Sequence, residues 1–210
     1  MDKSEYWVLH SAVHYKSPID ILAGSELNIA AWFGWNGPNL TRSELVNVFY
    51  RLFQAGDLIA TRTDRERNHW FESFVPNKKE VEAALAQDIY FDYGLTSKGG
   101  ARWETETRAD WSLFLNIGIH SISPRSKFGV IISGNDRRLI ERVVEDSAKS
   151  QGFLITDPVW ETMQPWRVTY WKTLSVGHSI TYGYDHSKSK TPLHEQEPYP
   201  ALPTWYVRPD

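Results

Sequence analysis

Two histidines, His10 and His14, have the spacing of a metal-binding pair. They stand four residues apart in a segment that we expect to be helical, so both imidazoles would lie on one helix face and could ligate one metal ion. The three residues between them include no glutamate, and the sequence identifies no third ligand. We therefore expect ordinary buried or surface histidines at this place, and no metal centre.

A third histidine, His178, lies between predicted strands and has the chemistry of a general base. Asp157 and Glu161 are candidate carboxylate partners, but nothing in the sequence brings them to it. Residues 98–100, Lys-Gly-Gly, lack the spacing of a phosphate-binding P-loop and fit a tight strand-to-helix turn better. Since no stronger catalytic motif occurs, we expect a protein that is not an enzyme and that uses no cofactor.

Aromatic residues dominate what remains: the chain of 210 residues has ten tryptophans, ten tyrosines and no cysteine. The lack of cysteine excludes disulfides, Cys-ligated zinc, iron–sulfur clusters and thiol nucleophiles. Tryptophan and tyrosine anchor protein partners because they bury a large area at low entropic cost. The sequence therefore favours a protein-binding role. The residues predicted to bind the partner are Trp35, Tyr50, Arg51, Trp70 and Trp171.

The charge balance is slightly acidic, with a formal net charge of −3. Residues 1–110 carry 12 basic and 16 acidic side chains, and residues 111–210 carry 11 and 10. Neither half has the positive excess of a domain that neutralises many phosphates, which weakens a nucleic-acid role. The charged N-terminus has no apolar signal region and no apolar run is long enough to cross a bilayer, so we expect a cytoplasmic protein without a membrane segment.

Helical signals are strongest between residues 41 and 55. Thr41 and Glu44 have the spacing of a capping box, and Gly56 is typical of a helix C-terminus. Between them lies one apolar stripe with helical spacing: Leu45, Val48, Phe49, Leu52 and Phe53. The other elements predicted in this half are helices at 4–15, 25–33, from Asn77 and at 101–107, and strands at 58–61, 70–75 and 89–95.

The second half reads as a sheet with one long helix. Strands are predicted at 111–122, 128–133, 153–155, 167–174 and 179–184, and an amphipathic helix at 135–151. Residues 185–210 are rich in proline but contain aromatic anchors, which predicts an extended arm docked on the body or on a partner. The fold class is therefore α+β, with domains at 1–107 and 108–184 and the arm at 185–210. Trp7, Trp103, Trp111 and Trp166 are expected in cores or at the joint between halves, and Trp205 at a surface.

The segment from Leu40 to Arg62 resembles the recognition helix and first wing strand of small bacterial winged-helix regulators. The segment from Tyr93 to Glu104, Tyr-Gly-Leu-Thr-Ser-Lys-Gly-Gly-Ala-Arg-Trp-Glu, is similar to the second wing strand and following helix of MarR-like and PadR-like proteins. The resemblance covers about residues 4–106, with residues 64–88 as an apparent insertion between the wing strands. The second half matches no family in this way.

That resemblance implies a winged-helix domain packed on the second half. It also implies DNA contacts through the solvent face of the recognition helix and through the wing loop. The residues in those positions are Arg42, Asn47, Arg51, Arg62, Arg65 and Arg67. Two functions follow as expectations. One is an immunity-type protein that neutralises a bacterial toxin, which the acidic, aromatic-rich composition resembles in general character. The alternative is a DNA-binding regulator whose C-terminal domain senses a ligand.

Overall fold

The computed structural model describes residues 1–22, 40–64, 69–121, 128–185 and 202–207. The chain forms two compact units. Unit 1 comprises residues 1–108, 169–172 and 208–210, and unit 2 comprises residues 109–168 and 173–207. Both mix helices with antiparallel strands, which confirms the α+β class. In the described part of the chain, no helix is long and apolar enough to cross a membrane.

Unit 1 contains four α-helices and four strands within the described residues. They are α1 (Lys3–Ser11), β1 (Ser17–Pro18), α2 (Arg42–Gln54), β2 (Leu58–Asp64), β3 (His69–Phe74), α3 (Lys78–Leu85), β4 (Asp92–Leu95) and α4 (Ser97–Thr107), with a 3-10 turn at Ile19–Leu22. The sheet has the order β1-β4-β2-β3 and is antiparallel throughout. The predicted helix at 25–33 lies outside the described residues.

The helix α2 forms as its sequence predicts. The Thr41 side chain accepts from the backbone of Glu44, whose carboxylate accepts from Thr41 in return, so the capping box is complete. The Thr41 hydroxyl and backbone N–H both donate to the Glu44 carboxylate, and these two bonds lower the pKa of Glu44. Gly56 has a φ of +73°, the left-handed conformation that ends the helix. The apolar stripe is buried, and its Phe49 packs edge-on against Tyr93 at 4.8 Å between ring centroids.

Polar bonds tie together the interior of unit 1. The Trp103 indole, which is fully buried, donates to His10 Nδ1 at 3.1 Å. The hydroxyl of Tyr170 donates to the Ala12 carbonyl at 2.6 Å and accepts from the Leu95 backbone. Burial raises the pKa of both Tyr93 and Tyr170 well above that of a free tyrosine.

Unit 2 is built on a second sheet with one helix. Its elements are β5 (Leu115–Ser121), β6 (Phe128–Gly134), α5 (Arg137–Gln151), β7 (Leu154–Met163), β8 (Trp166–Arg167), β9 (Thr173–Leu174) and β10 (Gly177–Asp185). The main sheet has the order β5-β6-β10-β7, and β8 pairs with β9 alone. The helix α5 begins at the cap residue Asp136 and ends at Gly152, which has a φ of +64°.

Three sequence predictions need correction. The first helix ends at Ser11, not at residue 15. The strand predicted at 111–122 begins only at Leu115, because residues 110–113 form a turn in which the Asp110 carboxylate accepts from Ser112. The strand predicted at 167–174 is wrong, because residues 169–172 form a turn between β8 and β9. The Thr169 hydroxyl accepts from the backbone of Lys172 there, which is the kind of local bond that competes with a strand.

The C-terminal segment at 202–207 docks within unit 2, in agreement with the predicted arm. The Trp205 carbonyl accepts from the Asp110 backbone at 2.7 Å, and its ring lies 4.8 Å from both Trp111 and Phe114. Trp205 is therefore half-buried in an aromatic cluster of its own unit.

Candidate functional site

The most distinctive site in the described chain is an apolar cavity of about 270 Å³ in unit 2. It lies between the second half of α5 and the sheet face formed by β5, β6 and β10. The residues that line it are Ile117, Val130, Ile132, Val143, Ser147, Gln151, Phe153, Tyr182, Tyr184 and Leu202. Eight of these ten side chains are aliphatic or aromatic, so the cavity suits the apolar part of a small molecule.

The amino-acid pattern of α5 explains why a space is left there. Leu139, Val143, Ser147 and Gln151 follow one another at four-residue spacing and are all buried, so they form the stripe that faces the sheet. The first two positions of this stripe carry branched apolar side chains that pack in the core with Ile132. The last two carry a small hydroxyl and an amide, which do not fill the same volume with apolar atoms.

Two polar groups therefore face an apolar space. Ser147 is 4% exposed and Gln151 is 7% exposed, yet neither side chain has a hydrogen-bond partner among the described residues. Their polar atoms are not among the fully buried side-chain atoms that lack a partner, so both groups open onto the cavity and are not sealed in the core. These two groups are thus available to something that enters the cavity.

Aromatic rings form the opposite wall, and two aliphatic side chains mark the opening. Phe153 stacks on Tyr182 at 6.4 Å and meets Tyr184 at 5.5 Å between centroids. Ile117 and Leu202 line the cavity but are 42% and 48% exposed. Since they contact both the interior space and solvent, the cavity opens to solvent beside them.

The predicted catalytic pair does not form. The Nδ1 atom of His178 lies 3.3 Å from the Thr162 hydroxyl, and it is not paired with either predicted carboxylate. Asp157 is exposed and sits at an irregularity of β7 with a φ of +47°, and Glu161 is exposed and lies across from Ser179. The sheet therefore holds His178, Asp157 and Glu161 at positions where neither carboxylate is hydrogen-bonded to the histidine.

The histidine pair is also separated by the fold. His10 is buried in α1, where it accepts from Trp103 and stacks on Tyr6, whereas His14 follows the end of the helix. Within the described residues, no group of three potential ligands surrounds a metal-sized space. In the Lys-Gly-Gly segment, a Cβ at Gly99 would stand 2.0 Å from the Asp57 carbonyl. This glycine therefore permits close packing at the start of α4, as the tight turn required.

Trp171, which was predicted to bind a partner, makes its contacts within unit 1. Its indole nitrogen donates to the Val13 carbonyl at 2.8 Å, and its ring lies so close to Gly100 that a Cβ there would stand 2.1 Å away. Trp171 therefore lies in the turn that replaces the predicted strand at 167–174, and its ring packs within unit 1. Trp35 lies outside the described residues, and so does the side chain of Trp70, although the backbone of Trp70 belongs to β3.

The predicted DNA contacts on α2 and the wing hairpin fall into two groups. Arg42 and Asn47 are exposed. Tyr50, which was predicted as a partner-binding residue and not as a DNA contact, is half-buried on the same helix. Arg51 is exposed but pairs with Asp2 at 3.2 Å and Glu5 at 3.5 Å.

In the hairpin, Arg62 pairs with Glu72 at 2.9 Å and covers the Phe74 ring. These ion pairs reduce the charge that Arg51 and Arg62 offer to a phosphate. Arg65 and Arg67 lie outside the described residues.

The cavity was not predicted from the sequence, although one signal for it exists. Helix α5 was recognised by its apolar face, but the two polar residues that continue its buried stripe were not singled out. A stripe that changes from branched apolar to polar residues while remaining buried indicates a space beneath it. Comparison with known proteins adds nothing to this geometry: no family model matches the chain, and neither a curated protein nor a solved structure does.

Proposed function

We propose that this protein is a ligand-responsive DNA-binding regulator, in which unit 2 binds a small, mostly apolar molecule. The observation that carries the proposal is the cavity of about 270 Å³ with its two unpaired polar groups. For scale, an apolar cavity of about 150 Å³ is enough to bind benzene. The larger volume here suits a molecule of one or two rings, or a short branched chain.

Unit 1 supports the DNA-binding half of the proposal through its order of elements. The capped helix α2 leads through Gly56 into β2, and β2 pairs antiparallel with both β3 and β4. This is the arrangement expected of two wing strands, β2 and β4, with β3 and α3 inserted between them. The exposed Arg42 and Asn47 lie in the first half of α2, where a recognition helix contacts base edges.

Filling the cavity tests the ligand site. We expect the neutral fluorescent probe N-phenyl-1-naphthylamine to bind the full chain, and we expect Ser147→Leu to weaken this binding at least tenfold by occupying the space. Glu145→Leu is the matched control, because Glu145 is an exposed residue of the same helix. If both variants bind the probe as the wild-type chain does, the cavity is not the binding site.

The DNA-binding half has its own test. Duplex DNA binding measured by fluorescence anisotropy is expected to weaken steeply with salt, and Arg42→Ala is expected to weaken it and reduce the salt slope by about one. Arg142→Ala, which removes the same charge from an exposed position on α5, serves as the control. No binding at low salt would exclude this half and leave the ligand site standing.

A protein-binding role, including that of an immunity protein for a toxin, is the second candidate. The observation that favours it is the outer face of the main sheet, where Ile131 and Val159 are 36% and 55% exposed in one cross-strand row. Exposed apolar side chains that lie together mark protein contacts. Pull-down with the wild-type chain and with an Ile131→Lys/Val159→Lys variant tests it, because a partner bound at this face is retained by the wild type alone.

A further inference from the structure

We infer that the ligand of the unit 2 cavity is an uncharged molecule with a single hydrogen-bonding end, held by Gln151 and Ser147, and an apolar body of one or two rings. This inference rests on the proposed ligand site and adds the chemical class of the ligand. It depends on three features of the described residues: the placement of the two polar groups, the lack of charge in the lining, and the shape of the walls.

The two polar groups act on one point of the ligand. Gln151 and Ser147 lie four residues apart on α5, a spacing at which side chains on the same helix face are neighbours. An amide both donates and accepts hydrogen bonds, and so does a hydroxyl. Together they match a ligand hydroxyl, carbonyl or carboxamide, each of which would satisfy at least one of them.

The lining also excludes charged ligands. None of the ten lining side chains is an Asp, Glu, His, Lys or Arg, so the lining carries no charge at neutral pH. A carboxylate or an ammonium group that left water for this cavity would therefore lose its hydration without gaining an opposite charge. The ligand's polar end is therefore neutral at physiological pH.

The walls favour a flat apolar body. Phe153, Tyr182 and Tyr184 form a connected set of aromatic contacts on one side, and the branched Val130, Ile132 and Val143 lie among the other lining residues. Aromatic rings pack well in offset or edge-on arrangements against such a wall. A bicyclic ring fits the volume and leaves its substituent free to reach the end of α5.

Three compounds with the same bicyclic ring test the polar end and the charge of the ligand one at a time. Naphthalene has no polar end, 2-naphthol has a neutral hydroxyl, and 2-naphthoate has a carboxylate. Binding of each to the full chain is measured by calorimetric titration at pH 7 with the wild type, Gln151→Leu, Ser147→Ala and the control Lys149→Leu, which alters an exposed position of α5. Thermal unfolding of every variant confirms that it is folded.

We expect the wild type to bind naphthalene and 2-naphthol, and to bind 2-naphthoate at least tenfold more weakly than 2-naphthol. Gln151→Leu is expected to weaken 2-naphthol about tenfold, the loss of roughly one well-placed hydrogen bond and its pairing. The same variant leaves naphthalene unchanged or binds it more tightly. Ser147→Ala shows the same pattern with a smaller loss, and Lys149→Leu changes nothing.

The possible failures are distinguishable. If Gln151→Leu and Ser147→Ala leave the preference between naphthalene and 2-naphthol unaltered, the polar end has no role and the inferred ligand class is wrong, although the ligand site remains. Tighter binding of 2-naphthoate than of 2-naphthol also overturns the class. If none of the three compounds binds the wild type, the proposed ligand site itself fails.

Discussion

The two units of this protein differ in what their interior polar side chains face. In unit 1, aromatic residues enter the interior together with partners for their polar atoms: Trp171 bonds to Val13, Tyr170 to Ala12, and Trp103 to His10. In unit 2, Ser147 and Gln151 are buried without a partner among the described residues. Among the described residues, the fully buried side-chain atoms without a partner lie in unit 1 and include the Trp7 indole nitrogen and Asp57 Oδ1. The distinguishing feature of unit 2 is therefore the cavity onto which Ser147 and Gln151 open.

This difference distinguishes an interior whose polar bonds stabilise the folded state from an interior that has space to bind a ligand. A paired polar group adds specificity and a modest free energy of folding, and it fixes the side chains around it. A polar group that lacks a protein partner and opens onto an apolar cavity makes no such contribution to folding until a ligand bonds to it. If the comparison is correct, variants in unit 1 that crowd or unpair its interior will destabilise it, and removal of polarity in unit 2 will stabilise the empty protein.

The largest change in the free energy of unfolding is expected where Gly100 packs against the Trp171 ring in unit 1. Gly100→Ala places a methyl group 2.1 Å from the Trp171 ring, which its hydrogen bond to Val13 holds in position. We expect a loss of about 3 kcal/mol in the free energy of unfolding, although alanine is the better helix former. Urea denaturation followed by tryptophan fluorescence measures it.

A glycine of unit 2 provides the matched control. At Gly118, the added methyl group would meet only the end of the Ile131 side chain, at 3.1 Å, and Ile131 is exposed enough to move. Gly118→Ala should therefore change stability by less than about 0.5 kcal/mol. A Gly100→Ala/Trp171→Leu double variant should regain part of the loss. Equal losses at Gly100 and Gly118 would contradict the contrast between the two interiors.

The next effect tests the paired polar groups of unit 1. Tyr170→Phe removes a hydroxyl that bonds to Ala12 and Leu95, and it leaves both backbone groups unsatisfied in a part-buried setting. The expected loss in the free energy of unfolding is about 2 kcal/mol. Tyr15→Phe is the control, because Tyr15 is 75% exposed and should tolerate the change. A Tyr170→Phe variant as stable as the wild type would show that these bonds contribute nothing.

Alkaline pH tests the same interior without mutation. Burial raises the pKa of Tyr93 and Tyr170 above the unfolded value of about 10, so the folded state keeps protons that the unfolded state releases. Their contribution is fully present below pH 10 and is lost as pH rises through the folded pKa. For each such tyrosine, stability should fall by about 1.4 kcal/mol per pH unit above 10. Denaturation at several pH values should show a shallower fall for Tyr170→Phe, and equal slopes would count against buried, neutral tyrosines.

The sequence predicted the parts of the fold that local rules control. The capping box at Thr41, the stop at Gly56 and the amphipathic face of α5 are all present, because each depends on residues within a few positions of one another. Alternation failed at residues 167–174, because the Thr169 hydroxyl bonds locally and turns the chain. The place of Trp171 against Gly100 could not be predicted, since it joins positions 71 residues apart along the sequence.

The candidate site lay beyond sequence reasoning for a related reason. Its members come from β5, β6, α5, β10 and the C-terminal segment, and only the sheet register brings Ile117 opposite Ile132. The spacing of a motif identifies a site that is built from one segment. A cavity is unfilled space between segments that are distant in the sequence, and no motif records it. The low exposure of Ser147 and Gln151 becomes informative only when the structure shows that both residues line a cavity.

The smallest expected effect is the most direct test of that difference. Gln151→Leu keeps roughly the same volume and replaces an amide by apolar atoms in an apolar lining, so the protein without ligand should gain about 1 kcal/mol in the free energy of unfolding. The comparable change in unit 1, His10→Leu, removes the partner of the Trp103 indole and should destabilise instead. Thermal unfolding of both variants gives the two signs. Destabilisation by Gln151→Leu would mean that the amide contributes to folding without a ligand, and the two interiors would then follow the same rule.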